Sequence, residues 1–189
     1  DEAIARDGLR MVVVGGIPSP WGEAAKGILH VKGIEWAAVR LAYDSETLAE
    51  WAGERSAPVA IHGSEKPRSR WNDILLLAER LAPEPSLLPA DATERALVFG
   101  LSHEICGEDG LAWLRRRHLI HLGLQGEGGF PERVSRYLAK KYGYRPETAD
   151  SAVQRVRDLL EMLSARLKAQ AGAGSPYLVG GRLSAADIY

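Results

Sequence analysis

The stretch that decides the fold is Tyr177-Leu-Val-Gly-Gly-Arg-Leu-Ser-Ala-Ala-Asp-Ile-Tyr189. Ser184 and Asp187 stand in S-x-x-D spacing just after a Gly-Gly turn. That spacing suits a capping box, in which the serine hydroxyl accepts the backbone N–H of Asp187 and the Asp187 carboxylate returns to the N–H of Ser184. A helix is therefore predicted to start here, with Ile188 and Tyr189 turned to a core. Asp187 is read as a cap rather than a catalytic acid, and its loss is expected to cost about 1 kcal/mol or more. The chain lacks an initiator Met and stops within this helix start, so both ends are expected to be trimmed and the helical half truncated.

Working back from the box, the pattern is helical to about residue 92. A long helix is predicted over Glu147 to about Gln170, with Val153, Val156, Leu160, Leu163 and Leu167 in register. A shorter one spans Glu132 to Tyr142, after a glycine-rich loop from Gly123 to Pro131. Leu111 to Leu122 and the segment opened by Asp91-x-x-Glu94, a second capping box, complete an all-helical domain over residues 92–189. Pro83, Pro85 and Pro89 mark a linker at 83–91.

Before the linker the periodicity changes. Leu9 to Gly15 is β-branched and bounded by glycine, a short buried strand. Ser19 and Pro20 then suit the N-cap and first position of a helix, which Gly33 ends. Glu35 to Ala42 is a second strand, Thr47 to Trp51 a short helical patch, and Ala57 to His62 a third strand. Pro67 to Trp71 is expected as an edge strand, where proline is tolerated. A helix follows from Asn72 with Ile74, Leu77, Ala78 and Leu81 on one face. Residues 1–8 form a polar tail and residues 9–82 a βαβαββα unit, the order of a thioredoxin-like domain; the fold class is α+β followed by all-α.

Composition removes several function classes. The 189 residues suffice for one large or two small domains, and a net charge of -1 gives no electrostatic footprint for nucleic acid or an anionic membrane. No partner of either kind is expected. The run Arg115-Arg116-Arg117-His118 is read as a solvated helix face. Cys106 is the only cysteine, so no intrachain disulfide forms and a reducing, cytoplasmic location is expected. Asp1 to Asp7 is polar and lacks the apolar core of a signal peptide. No apolar run approaches the roughly 18 residues of a membrane span.

The longer string Pro176-Tyr-Leu-Val-Gly-Gly-Arg-Leu-Ser-Ala-Ala-Asp-Ile-Tyr189 resembles the G-x-x-x-S/T-x-A-D segment that opens the central core helix of the C-terminal domain in cytosolic glutathione transferases. With the thioredoxin-like half, the proline-rich linker and the helical half, the whole chain is similar to a member of that superfamily. The resemblance implies a homodimer and a glutathione-dependent enzyme. Such an enzyme would activate the glutathione thiol, as co-substrate, for attack on an apolar small-molecule electrophile held between the two domains.

It also implies roles for particular residues. Ser19, at the turn from strand 1 into helix 1, matches the place where a Ser, Cys or Tyr contacts the glutathione sulfur. A free thiol has a pKa near 8.5; a donated hydroxyl hydrogen bond and a helix N-terminus both favour the thiolate. Ser19 acting only as a helix cap is the plainer reading, and the two are compatible. Ala57-Pro58 matches the family's cis-proline, whose Ala57 backbone would pair with the glutathione cysteine. At the start of the helix after strand 4 the family usually carries Glu/Gln-Ser for the γ-glutamyl carboxylate. Here Arg70-Trp71 stands in that place, a departure. Arg70 could bind a carboxylate bidentately, Ser69 is one position away, and Asn72 or Asp73 could cap the helix. Trp21 and Trp113 are the candidates for an apolar substrate pocket.

Other groups read as structural. His118 and His121 stand i, i+3 without a third ligand nearby, so no metal is expected. Cys106 lies near Glu104, Glu108 and Asp109, which should raise its pKa and make it a poor nucleophile. The alternative function is a non-catalytic interaction module of the same fold that does not bind glutathione, as in the stringent starvation protein; Arg70-Trp71 favours it.

Overall fold

The computed structural model describes residues 2–16 and 18–189. Asp1, the first residue of the expected tail, and Ile17 lie outside the described residues. The chain divides into two compact units. One runs to Leu88 and also holds Ile188 and Tyr189; the other runs from Pro89 to Asp187.

In the first unit a short helix, α1 (Glu2–Ala5), stands where a plain tail was expected. The sheet then forms from β1 (Leu9–Val13), β2 (Trp36–Arg40) and β3 (Val59–His62), in the order β2-β1-β3. β1 pairs parallel with β2 and antiparallel with β3. Helix α2 (Pro20–Val31) makes the crossover between the parallel strands, α3 (Glu46–Ala52) joins β2 to β3, and α4 (Trp71–Leu81) follows. Strand alternation sends Val12, Val59 and Ile61 to the face covered by α3, where Leu48, Trp51 and Ala52 pack on them. Leu9, Met11 and Ala60 fall on the opposite face and are equally buried. Helices α2 and α4 pack on each other, burying Ala25, Ile28 and Leu29 of one and Ile74, Leu75, Leu77 and Ala78 of the other.

The expected fourth strand is not formed. Pro67 to Trp71 contributes one antiparallel bridge, Ala60 with Arg68, held by two backbone hydrogen bonds of 2.8 and 2.9 Å. Pro67 has no N–H to extend the ladder, and Arg70 already serves as the N-cap of α4. The third strand likewise begins at Val59 rather than Ala57, because Pro58 cannot donate to β1. Helix α2 ends at Val31 with Gly33 at φ 62°, the left-handed conformation expected of it.

Among the described residues of this unit, two charged side chains are buried. Arg10 on β1 donates to the carbonyls of Gly8 and Gly63 and lies over the Trp51 ring. Lys32, just past α2, is fully enclosed and pairs with Glu79 on α4 at 2.5 Å. It also donates to the Pro85 carbonyl at 2.8 Å. Glu79 accepts from the Ser86 hydroxyl and the Leu87 N–H. One ion pair therefore ties two helices to the segment that leaves the unit.

The second unit is helical: α5 (Ala92–Cys106), α6 (Leu111–Gln125), α7 (Glu132–Lys141), a 3-10 turn at Pro146–Thr148, α8 (Ala149–Gly172) and α9 (Ala185–Ile188), whose last residue belongs to the first unit. Asp91 caps α5 by accepting the Glu94 N–H at 2.9 Å. Gly123 lets α6 lie against the loop before α7: a Cβ there would come within 2.2 Å of the Phe130 carbonyl and the Ser135 hydroxyl. Helix α8 packs through Ala152, Val156 and Leu159 against Leu111 and Leu114 of α6. This face is offset from the expected stripe. Of the predicted inward positions, Leu160 is 50% and Leu167 42% exposed, because the seam follows Ala152 and Leu159 rather than Val153 and Leu160.

Candidate functional site

The residues singled out in the first unit lie at the starts of two helices and of one strand. Ser19 is the N-cap of α2, with extended backbone (φ −108°, ψ 125°) and Pro20 at the first helical position. Its carbonyl accepts the Glu23 N–H at 2.8 Å. The hydroxyl makes no capping hydrogen bond, so the side chain does not act as the expected cap. It is half-buried at the positive end of a 12-residue helix.

The Ala57-Pro58 peptide bond is cis, as is Glu84-Pro85. Pro58 is buried, and Ala57 packs at the edge of the cluster under α3. Ser69 and Arg70 precede α4, whose first residue is Trp71. Arg70, not Asn72 or Asp73, occupies the N-cap. Its side chain makes no cap bond and is exposed. Asp73 sits in the first turn, where its charge favours the helix dipole.

Trp21, Pro58, Ser69 and Trp71 border one small cavity of about 20 Å³, together with Ala24, Ala25, Ile74 and Tyr189. It has room for about one water, so it is a gap beneath the two helix starts rather than a seat for a larger molecule. Ser19, Ala57 and Arg70 are chain neighbours of its lining residues but do not themselves line it. Tyr189 was missed as a member of this group. Its hydroxyl donates to the Trp71 carbonyl at 3.2 Å and its ring meets Trp71 edge-on at 5.6 Å. The only signal for it was the expectation that Tyr189 faces a core. Trp113 lies in the second unit, edge-on to Tyr142 at 4.8 Å and under the Arg117 guanidinium.

Beyond β3, Glu65 gathers three partners: His62 Nδ1 at 3.0 Å, Arg68 at 2.7 Å and Arg80 at 2.6 Å. Hydrogen bonds from His62, Arg80 and Arg68 hold its carboxyl at about 2, below the ordinary 4.5.

Asp187 does return to the Ser184 N–H, at 2.9 Å. The other half of the box is reversed. The Ser184 hydroxyl donates to the Asp187 carboxylate at 2.7 Å, and the Asp187 N–H meets the Ser184 carbonyl instead. The second carboxylate oxygen accepts the Leu178 N–H at 2.7 Å, which draws the carboxylate between a turn and a helix start. Cys106 is buried, its thiol donating to the Ser102 carbonyl and pushed up to about 12. Burial is the cause, not the acidic neighbours that the sequence suggested. His121 lies 2.7 Å from the Tyr144 hydroxyl. Burial, then Arg115 and His121, lower the pKa of His118. Among the described residues no helix is long and apolar enough to cross a membrane.

Residues 129–189 match the family described as glutathione S-transferase, C-terminal domain. No curated protein matches the chain by sequence. Solved structures share the fold. A glutathione S-transferase from the Antarctic clam Laternula elliptica superposes with a TM-score of 0.66 at 15% identity, covering 96% of this chain and 74% of that one. One from Methylobacterium radiotolerans, in complex with glutathione sulfonate, gives 0.66 at 16% identity, over 95% and 74%. A human glutathione S-transferase in its apo form gives 0.64 at 18% identity, over 96% and 70%. The last 61 residues thus match the C-terminal domain family of glutathione S-transferases, and the chain shares the fold of solved glutathione S-transferases over nearly its whole length.

Proposed function

We propose that the protein is a glutathione transferase-type enzyme that uses glutathione as co-substrate and activates its thiol at Ser19. The observation that carries this reading is the Ser19 side chain. It stands at the N-terminus of α2 with a hydroxyl that does not cap its own helix. Such a hydroxyl can donate to a thiolate while the helix dipole stabilises the same charge. The acquired nucleophile would attack an apolar electrophile, with Trp21 as its proposed apolar contact. The cis bond before Pro58 supports pairing of the Ala57 backbone with the peptide of glutathione. The exposed Arg70 beside Ser69, at the start of an 11-residue helix, supports binding of a carboxylate there. The Methylobacterium relative, crystallised with glutathione sulfonate, is consistent with such a ligand. A cytoplasmic homodimer completes the proposal.

A second reading, a non-catalytic interaction module that does not bind glutathione, is favoured by one observation. Trp71 opens α4 with its carbonyl already engaged by Tyr189, where the family's usual serine would stand. The deciding experiment is the pKa of bound glutathione, followed by thiolate absorbance. Ser19→Ala is expected to raise that pKa by about one unit, the size of one lost charge-assisted hydrogen bond. An unchanged value leaves Ser19 without a role in thiol activation.

A further inference from the structure

The second unit contains a cleft of about 670 Å³ where the break between α5 and α6 meets the start of α8. That is within the range of small-molecule sites, roughly 300–1,000 Å³, and none of the residues considered above for glutathione lies in it. Its charges are arranged in pairs, with one pair left over. Asp109 holds Arg117 at 2.5 Å, and the Arg117 Nε donates to the Tyr142 carbonyl at 2.9 Å. Glu104 holds Arg155 at 2.6 Å. Arg145 and Glu108 also line the cleft, are exposed, and have no ion-pair partner among the described residues.

This pattern selects a class of ligand. A polyanion such as phosphate would meet three carboxylates along with the three guanidiniums, and like charge at contact distance is unfavourable. A bare cation would meet the converse. A molecule with one anionic and one cationic end fits both unpaired groups, its carboxylate on the planar fork of Arg145 and its ammonium on Glu108. The Thr148 and Ser151 hydroxyls donate to the Arg145 and Thr148 carbonyls. Their lone pairs are left to accept peptide N–H groups. Leu114 and Ala152 are buried beside them as an apolar floor. The volume is more than a single amino acid fills.

We propose that this cleft is a binding site for short zwitterionic peptides with free termini, separate from the glutathione site. Triglycine is the probe. In a ¹H–¹⁵N NMR titration of the whole protein, triglycine is expected to shift amides of residues 103–110 and 145–152, with a dissociation constant of about 1 mM. Arg145→Ala and Glu108→Gln, both at exposed positions, should each weaken it about tenfold. N-acetyl-triglycine amide, which has neither charge, should not bind, and Ser19→Ala should leave triglycine binding unchanged. Four results would overturn the proposal: no shifts at about 20 mM triglycine, shifts confined to other residues, affinity indifferent to Arg145→Ala, or inorganic phosphate binding the cleft more tightly than triglycine.

Discussion

Replacing Asp187 by alanine removes the carboxylate that joins the Gly180-Gly181 turn to the start of α9. Three hydrogen bonds go with it, from Leu178 N–H at 2.7 Å, Ser184 N–H at 2.9 Å and the Ser184 hydroxyl at 2.7 Å. The hydroxyl can rotate to another acceptor. The two backbone donors cannot, and both residues are buried, Leu178 at 7% and Ser184 at 1% exposure. A buried unsatisfied donor costs about 1–3 kcal/mol, so the two together predict a loss of about 3 kcal/mol. That exceeds the roughly 1 kcal/mol of an ordinary cap, because Leu178 lies outside the capping box. For a chain of this size it corresponds to about 6–12 °C in Tm. Asp187→Asn keeps one acceptor oxygen and should lose about half as much. Urea unfolding followed by circular dichroism measures both variants. A loss below about 1 kcal/mol for Asp187→Ala, or equal losses for the two variants, would refute the claim that the carboxylate serves two separate backbone donors.

Two further predictions concern charges in the first unit. Lys32→Met leaves the partly buried Glu79 without its cation and should cost about 3 kcal/mol by urea unfolding; a cost under about 1 kcal/mol would mean that the pair does not hold α2, α4 and the Pro85 segment together. The Glu65 carboxyl is depressed in the folded state, from 4.5 to about 2. Its contribution is therefore present above about pH 4.5 and lost as pH falls toward 2. Glu65→Gln should flatten the fall of Tm over that window, and an acid limb as steep as that of the unsubstituted protein would contradict the assignment.

The fold was legible where a local pattern decides it. The S-x-x-D spacing of Ser184 and Asp187, the Ser-Pro start of α2 and the β-branched run at Leu9 each depend on neighbours within a few residues. The parts that were not legible depend on residues far apart in sequence. The Ser184 hydroxyl points at Asp187 because Leu178 N–H takes the other oxygen. Ser19 sits at a cap position whose side chain does not cap, which no spacing reveals. The register of α8 was misjudged by one position because both Leu159 and Leu160 are apolar, and only the location of α6 chooses between them. The pairing of Lys32 with Glu79 carries no local signal, since 47 positions separate them. At the candidate site, the residue types were readable at Ser19, Pro58 and Ser69. The place of Tyr189 beside Trp71 was not, because it requires the folded first unit.

The most direct test of the account is calorimetric titration of glutathione into the protein. Glutathione is expected to bind saturably, in the micromolar to low-millimolar range. No heat of binding at several millimolar glutathione would contradict it and leave the fold as that of an interaction module.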